Sequence, residues 1–208
     1  MADPDTPFNW KHDAASGYGA LDDFAVHPLS LVSVLFGRVA SVVCDMAKPH
    51  AARATAAGAR RAVETWDIAS VLMRLESGLS ATLQVNRAAW GRKGRIAVQI
   101  FGSKGTILFD QERFNEFQLY LTSDRPEEQG FRTVLVGPQH QPYGAFVPAP
   151  GHGLGFNDLK IIECRELIAR IGGDAGARLI GFGEGLEIER TVHAMARSFR
   201  KGGWVEVR

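Results

Sequence analysis

The sequence predicts an α+β fold: an open, mostly antiparallel β-sheet with helices packed on one face. Three observations carry the prediction. Helical apolar spacing opens the chain at residues 21–36. A long run of short apolar segments follows, joined by brief glycine-containing turns, and consecutive strands with such short connections pair antiparallel. Two further stretches of helical spacing, at residues 157–171 and 183–199, come last.

Each element has its own signal. The first helix should end at Gly37, a residue type that readily takes the left-handed position after a helix. Pro28 lacks a backbone N–H and disfavours helical geometry at His27, so a kink or a first turn is expected there. Residues 39–46 read as a strand, and residues 47–62, rich in Ala, Gly and Arg, as a long mobile connection. Residues 65–75 and 79–85 are apolar runs separated by Ser77-Gly78, a hairpin signal. Residues 96–101, 106–109, 114–121 and 131–136 continue the strand pattern, with a tight turn at 102–105, and residues 204–207 add an edge strand. Apolar residues in both alternating sets, among them Ile68, Val71, Leu83, Val85, Ile100, Leu119 and Tyr120, imply that a second subunit covers the outer face. One domain is expected over residues 1–208, with 1–15 as an irregular lead-in.

Composition narrows the function classes. The 208 residues are 45% hydrophobic and 23% charged, an ordinary globular balance able to bury a sizeable core. A net charge of +1 argues against nucleic acid as a partner, and the basic stretches at 53–61 and 92–95 read as solvated loops. No apolar run approaches the ~20 residues that span a bilayer, and the first residues contain no signal-peptide core. Cys44, in a strand pattern, and Cys164, in a helical one, read as buried thiols of a cytoplasmic protein. His12, His50, His140 and His193 form no metal-like spacing with Cys or acidic residues, so no metal site is expected. No nucleophile elbow of the G-x-S-x-G kind occurs.

The most informative stretch is GALDDFAVH, which places Asp23 four residues before His27 at the mouth of the first helix. On a regular helix these side chains project about 40° apart, so the carboxylate can orient the imidazole as a general base. The same acids also suit a plain helix cap, since Asp22 or Asp23 is favoured in any first turn.

SGYGALDDFAVHPLSLVSVLFG, residues 16–37, resembles the G-G-x-x-x-D-x-x-x-H segment that opens the C-terminal domain of Gfo/Idh/MocA oxidoreductases, with Tyr18 separating Gly17 from Gly19. NRAAWGRKGRIAVQIFGSKGTILFDQERFNEFQLY, residues 86–120, is similar to that family's central strands. GHGLGFNDLKIIECRELIARI and FGEGLEIERTVHAMARSFRKGGWVEV resemble its last helices and closing strand. The resemblance implies the family's C-terminal, dihydrodipicolinate reductase-like sheet and its dimers or tetramers. It also implies catalytic roles for Asp23 and His27.

By the same resemblance Trp10 and Lys11 match an aromatic-basic pair that holds substrate hydroxyls, and His152 lies on a substrate-facing loop. Without it, Trp10-Lys11 is a surface pair and His152 a loop histidine bonded to backbone. Arg87 and Trp90 follow a strand and could line the same cleft, although a solvated turn is the first reading of them. The family's G-x-G-x-x-G fingerprint for the dinucleotide is not found: the clusters at Gly151, Gly153, Gly155 and at Gly181, Gly183, Gly185 lack its spacing. AKPH, residues 47–50, comes too late and lacks the Glu of the family's E-K-P motif. No cofactor-binding residue is therefore expected in this chain.

The expected function is that of the substrate and assembly domain of an NAD(P)-dependent dehydrogenase for a sugar, cyclitol or related polyhydroxy compound. NAD or NADP would be bound mainly by another domain, leaving the isolated chain inactive. The alternative is a non-catalytic binding or oligomerisation module on the same fold.

Overall fold

A computed structural model describes residues 1–208. Short 3-10 turns at Trp10–His12 and Ala14–Ser16 lead into a π-turn at Leu21–Ala25 and helix α1, Val26–Phe36. Strands β1 (Val39–Ala47), β2 (Ala52–Ala54), β3 (Arg60–Ala62), β4 (Ile68–Leu75) and β5 (Ser80–Asn86) follow. Next come β6 (Ala97–Gly102), β7 (Gly105–Asp110), β8 (Glu116–Leu121) and β9 (Arg132–Leu135), then α2 (Phe156–Ile171), α3 (Phe182–Lys201) and β10 (Val205–Glu206). The class is α+β with antiparallel strand pairing, as the sequence implies. The strands fall into two four-stranded sheets and the two-stranded β2-β3 ribbon, and the chain divides into two compact units, Met1–Gly91 with Ile180–Arg208, and Arg92–Leu179.

In the first unit the sheet order is β10-β1-β4-β5. One face carries Val42, Cys44 and Met46 of β1, Ala69, Val71 and Met73 of β4, and Leu83 and Val85 of β5, all buried with Leu29 of α1 and Ile188, Val192 and Met195 of α3. Burying aliphatic side chains of this size stabilises the fold by about 1.5–3 kcal/mol each. Val71, Leu83 and Val85 thus belong to the helix-covered face and not to an outer one. The alternate residues Asp45, Ser70, Thr82 and Gln84 leave the other face of this sheet largely polar. The Cys44 amide donates to Ser198 Oγ at 2.9 Å, and that hydroxyl donates to Gly203 O just beyond α3. Burial, with the neighbouring Asp45 carboxylate, pushes the Cys44 thiol up to about 12.

Pro28 sits in the first turn of α1. Its missing amide hydrogen would have pointed four residues back, and the chain accommodates the loss by winding Leu21–Ala25 as a wider π-turn before the regular helix begins.

The expectation of a mobile connection at 47–62 is not met. β2 and β3 pair as a ribbon with Arg53 opposite Arg61. Arg53 is no solvated loop residue: it is 2% exposed, and its guanidinium donates to the backbone carbonyls of Met1, Asp3 and Thr6. A guanidinium in a fixed fork can satisfy several carbonyls at once, which lets the charge be buried.

In the second unit β6, β7, β8 and β9 form a meander. Direct pairing of Val98, Phe109, Phe117 and Val134, and of Ile100, Ile107 and Leu119, puts these residues on one face. None of these seven is buried. Tyr120, paired with Thr106, lies on the opposite face. Helix α2 likewise buries no residue, which leaves Cys164 exposed and not the buried thiol expected. No helix of the chain is long and apolar enough to cross a membrane.

Candidate active site

The site grows from the lead-in. Asn9 caps the first 3-10 turn by accepting from the Lys11 amide at 3.0 Å, while its own N–H donates to His12 Nδ1 at 3.0 Å. Asp13 caps the next turn through the Ala15 amide. Gly17 (φ 110°) and Gly19 (φ 91°) then turn the chain into the π-turn. A Cβ on Gly19 would lie 2.4 Å from Trp66 O and 2.9 Å from Arg87 Nη2, so only glycine fits there. The Ala20 amide donates to Trp66 O, and Trp66 N–H donates to Tyr18 O.

The two acids divide their labour. Asp22 accepts from the Tyr18 and Gly19 amides, so it is the helix cap. Asp23 faces Lys11, whose Nζ lies 2.9 Å from Asp23 Oδ2, and Arg87 Nη1 stands 3.7 Å from the same oxygen. The expected hydrogen bond from Asp23 to His27 is not formed: two cations hold the carboxylate, and His27 is exposed one turn further on. Lys11 and Asp23 keep 38% and 32% of their side-chain exposure, so both reach solvent and a ligand alike. Lys11 Nζ lies 5.6 Å from the centre of the Trp10 ring, itself 70% exposed. An ammonium has three donors, and with one given to Asp23 two remain for hydroxyl oxygens. An exposed indole beside them offers an apolar face to the C–H side of a ring.

Beneath this pair lies Arg87, which the sequence reads first as part of a solvated turn and second as a cleft residue. The side chain of Arg87 is 2% exposed and that of Asp67 1%. Arg87 Nε donates to Asp67 Oδ1 at 2.7 Å, and Nη2 donates to Thr65 Oγ1 at 3.0 Å and to Lys11 O at 3.2 Å. The Thr65 hydroxyl donates to Lys11 O at 2.8 Å. Trp90 remains exposed, as a turn residue would.

His152 lies in the second unit, exposed on a turn in which its amide donates to Ala149 O. Asn115 clamps that loop, donating to Leu154 O at 2.9 Å and accepting from the Leu154 amide at 2.7 Å. The glycine-rich helix starts are already occupied. The Gly155 amide at the head of α2 donates to the Asp158 carboxylate, and the Gly181 amide at the head of α3 donates to Glu184. An anionic pyrophosphate would meet a carboxylate at either place, so these residues do not fit the phosphates of a dinucleotide. No cluster of three or more His, Cys, Asp or Glu side chains is placed to hold a metal ion.

His12, next to Lys11, is fully buried. Burial, then the Arg53 charge, holds its imidazole below the usual range, with Asp67 pulling the other way. Stability from a neutral buried His12 is complete above the unfolded value of 6.5. It falls as pH drops through and below that value, because the unfolded chain then binds the proton first. Thermal melts between about pH 8 and 5 should therefore show a decline that His12→Gln, keeping an acceptor without the titration, makes shallower. An unchanged slope in the variant would assign the decline to other groups.

Comparison with known proteins places the chain. Residues 1–108 match the GFO/IDH/MocA C-terminal domain. Levoglucosan dehydrogenase of Pseudarthrobacter phenanthrenivorans is 31% identical over 221 residues, covering 99% of this chain and 56% of the relative. A structure of levoglucosan dehydrogenase in complex with NADH and L-sorbose superposes with a TM-score of 0.92 at 31% identity, covering 100% of this chain and 55% of that one. An NAD binding oxidoreductase from Klebsiella pneumoniae gives a TM-score of 0.91 at 31% identity, covering 100% of this chain and 56% of that one. The chain spans about half the length of the relatives it matches.

Proposed function

The chain belongs to the GFO/IDH/MocA family, whose C-terminal domain it carries, and on that premise we propose that residues 1–208 form the substrate and assembly part of an NAD(P)-dependent dehydrogenase. Its substrate is a sugar, cyclitol or related polyhydroxy compound. The observation that carries this reading is the half-exposed Lys11–Asp23 pair beside the exposed Trp10 indole. Free ammonium donors, a carboxylate acceptor and an aromatic face together suit a ring bearing neighbouring hydroxyls. NAD or NADP, held by another part of the full-length enzyme, would supply the hydride acceptor. His27, exposed on the next turn, takes the hydroxyl proton on an imidazole nitrogen as the carbonyl forms. Asp23 holds Lys11 in place, and Lys11 fixes the neighbouring hydroxyls.

The test joins the chain to a dinucleotide-binding domain of the family and follows NAD(P) reduction with panels of anhydrosugars, aldoses and cyclitols. Turnover with any of them supports the reading; turnover with none removes it. The isolated chain should bind neither NADH nor NADPH in calorimetry, since its helix starts are capped by its own carboxylates. Micromolar binding would contradict that assignment.

The reading includes self-association. The apolar face of β6 to β9 carries Ile107 at 37% exposure among neighbours that are all incompletely buried, a surface that monomers rarely present. Sedimentation should report a dimer or tetramer, and Ile107→Lys with Leu119→Lys should shift it towards monomer. A monomer at every concentration would exclude this role. The free thiols of Cys44 and Cys164 support a cytoplasmic location.

A further inference from the structure

Arg87 cannot meet a substrate, because its side chain is 2% exposed, yet one Nη donates to the Lys11 carbonyl and the other lies beside the Asp23 carboxylate. Its guanidinium is held from below by Asp67 and from the side by Thr65. From that seat it donates to the Lys11 carbonyl and lies 3.7 Å from the Asp23 carboxylate. The charges alternate from core to surface: Asp67, Arg87, Asp23, Lys11. Gly19, by lacking a Cβ, leaves room for Nη2. The Lys11 carbonyl receives two donors, from Arg87 and Thr65, so the backbone that carries the lysine is fixed as well as its head group.

We infer that Arg87, with Asp67 and Thr65, is a positioning unit that sets Lys11 and Asp23 in the geometry that receives the substrate. The inference rests on the functional reading of Lys11 and Asp23 above. Arginine is required because a lysine in its place has no planar fork with which to hold Asp67, Thr65 and the Lys11 carbonyl together.

The test uses the 208-residue chain and NMR of its lysine ammonium groups. In the unaltered chain the Lys11 ammonium, held by Asp23, should exchange slowly with water, and Asp23→Asn should abolish that signature and so identify it. In Arg87→Lys, with methyl signals of Met73 and Met195 showing that the core is intact, Lys11 exchange should rise by about tenfold, the equilibrium factor of one lost hydrogen bond to a charged group. Thr65→Val, which removes only the hydroxyl beneath Lys11, should raise it by a smaller factor and decides the matter if Arg87→Lys does not fold. A folded Arg87→Lys chain, or failing that a folded Thr65→Val chain, with Lys11 exchange unchanged would overturn the inference and leave the network a purely structural one. If Lys11 responds as expected but Lys11→Ala does not affect polyol oxidation by the joined enzyme, the functional reading fails and the positioning stands.

Discussion

Asp67→Ala should cost the chain about 3–5 kcal/mol, because it leaves the Arg87 guanidinium buried with its ionic partner gone. That is a large part of the ~5–15 kcal/mol by which a folded domain exceeds its unfolded state. Both members are almost wholly removed from water, so neither recovers hydration when the other is lost. Arg87→Met should be similarly costly, since it strands Asp67. The double variant Asp67→Leu with Arg87→Met should recover a substantial part of the loss, as apolar replacements of buried pairs often do. Urea denaturation of the three variants measures this directly. A cost below about 1 kcal/mol for Asp67→Ala, the scale of a surface pair, would mean that water reaches the network.

His27→Ala should lower turnover of the joined enzyme by roughly two to four orders of magnitude while leaving cofactor affinity nearly unchanged, the pattern of a lost general base. Asp23→Asn should also slow turnover, and the geometry gives the reason: the amide no longer holds the Lys11 ammonium that lies 2.9 Å away. Asp22→Asn separates chemistry from folding. It keeps an acceptor oxygen for the Tyr18 and Gly19 amides and removes only the negative charge at the helix start, so it should cost under about 1 kcal/mol of stability with little change in turnover. Steady-state kinetics with thermal melts read both quantities. If His27→Ala and Asp23→Asn leave turnover intact, neither residue takes part in the reaction.

Periodic elements are legible in the sequence and charge placement is not. The pattern at 79–85 corresponds to β5 at Ser80–Asn86, and residues 204–207 to the edge strand β10. Alternation fails at 52–62 because Ala, Arg and Gly carry no period there, and the ribbon is held by Arg53 donating to carbonyls of the lead-in. The spacing of Asp23 and His27 sets them one turn apart, but Lys11 and Arg87, distant in sequence, compete for the carboxylate. One signal does point to Arg87. The turn that forms is Glu76-Ser77-Gly78, with Leu75 bonded to Leu79 across it; counting outwards from it pairs Ile68 with Asn86, and one step further sets Asp67 opposite Arg87. Opposite charges that meet at the open end of a hairpin form a pair that residue counting finds once the turn is taken as three residues, whereas a two-residue Ser77-Gly78 turn misses it by one position.

The alternating ladder of Lys11, Asp23, Arg87 and Asp67 has no net charge. Its field therefore cancels over a few ångströms, and it neither attracts nor repels ions approaching from the bulk. The uncharged polyol proposed as substrate would need no such steering and would arrive by diffusion alone. Ionic strength should then have little influence on how fast this end of the molecule captures its ligand, even though every group that greets the ligand first is a charge or lies beside one.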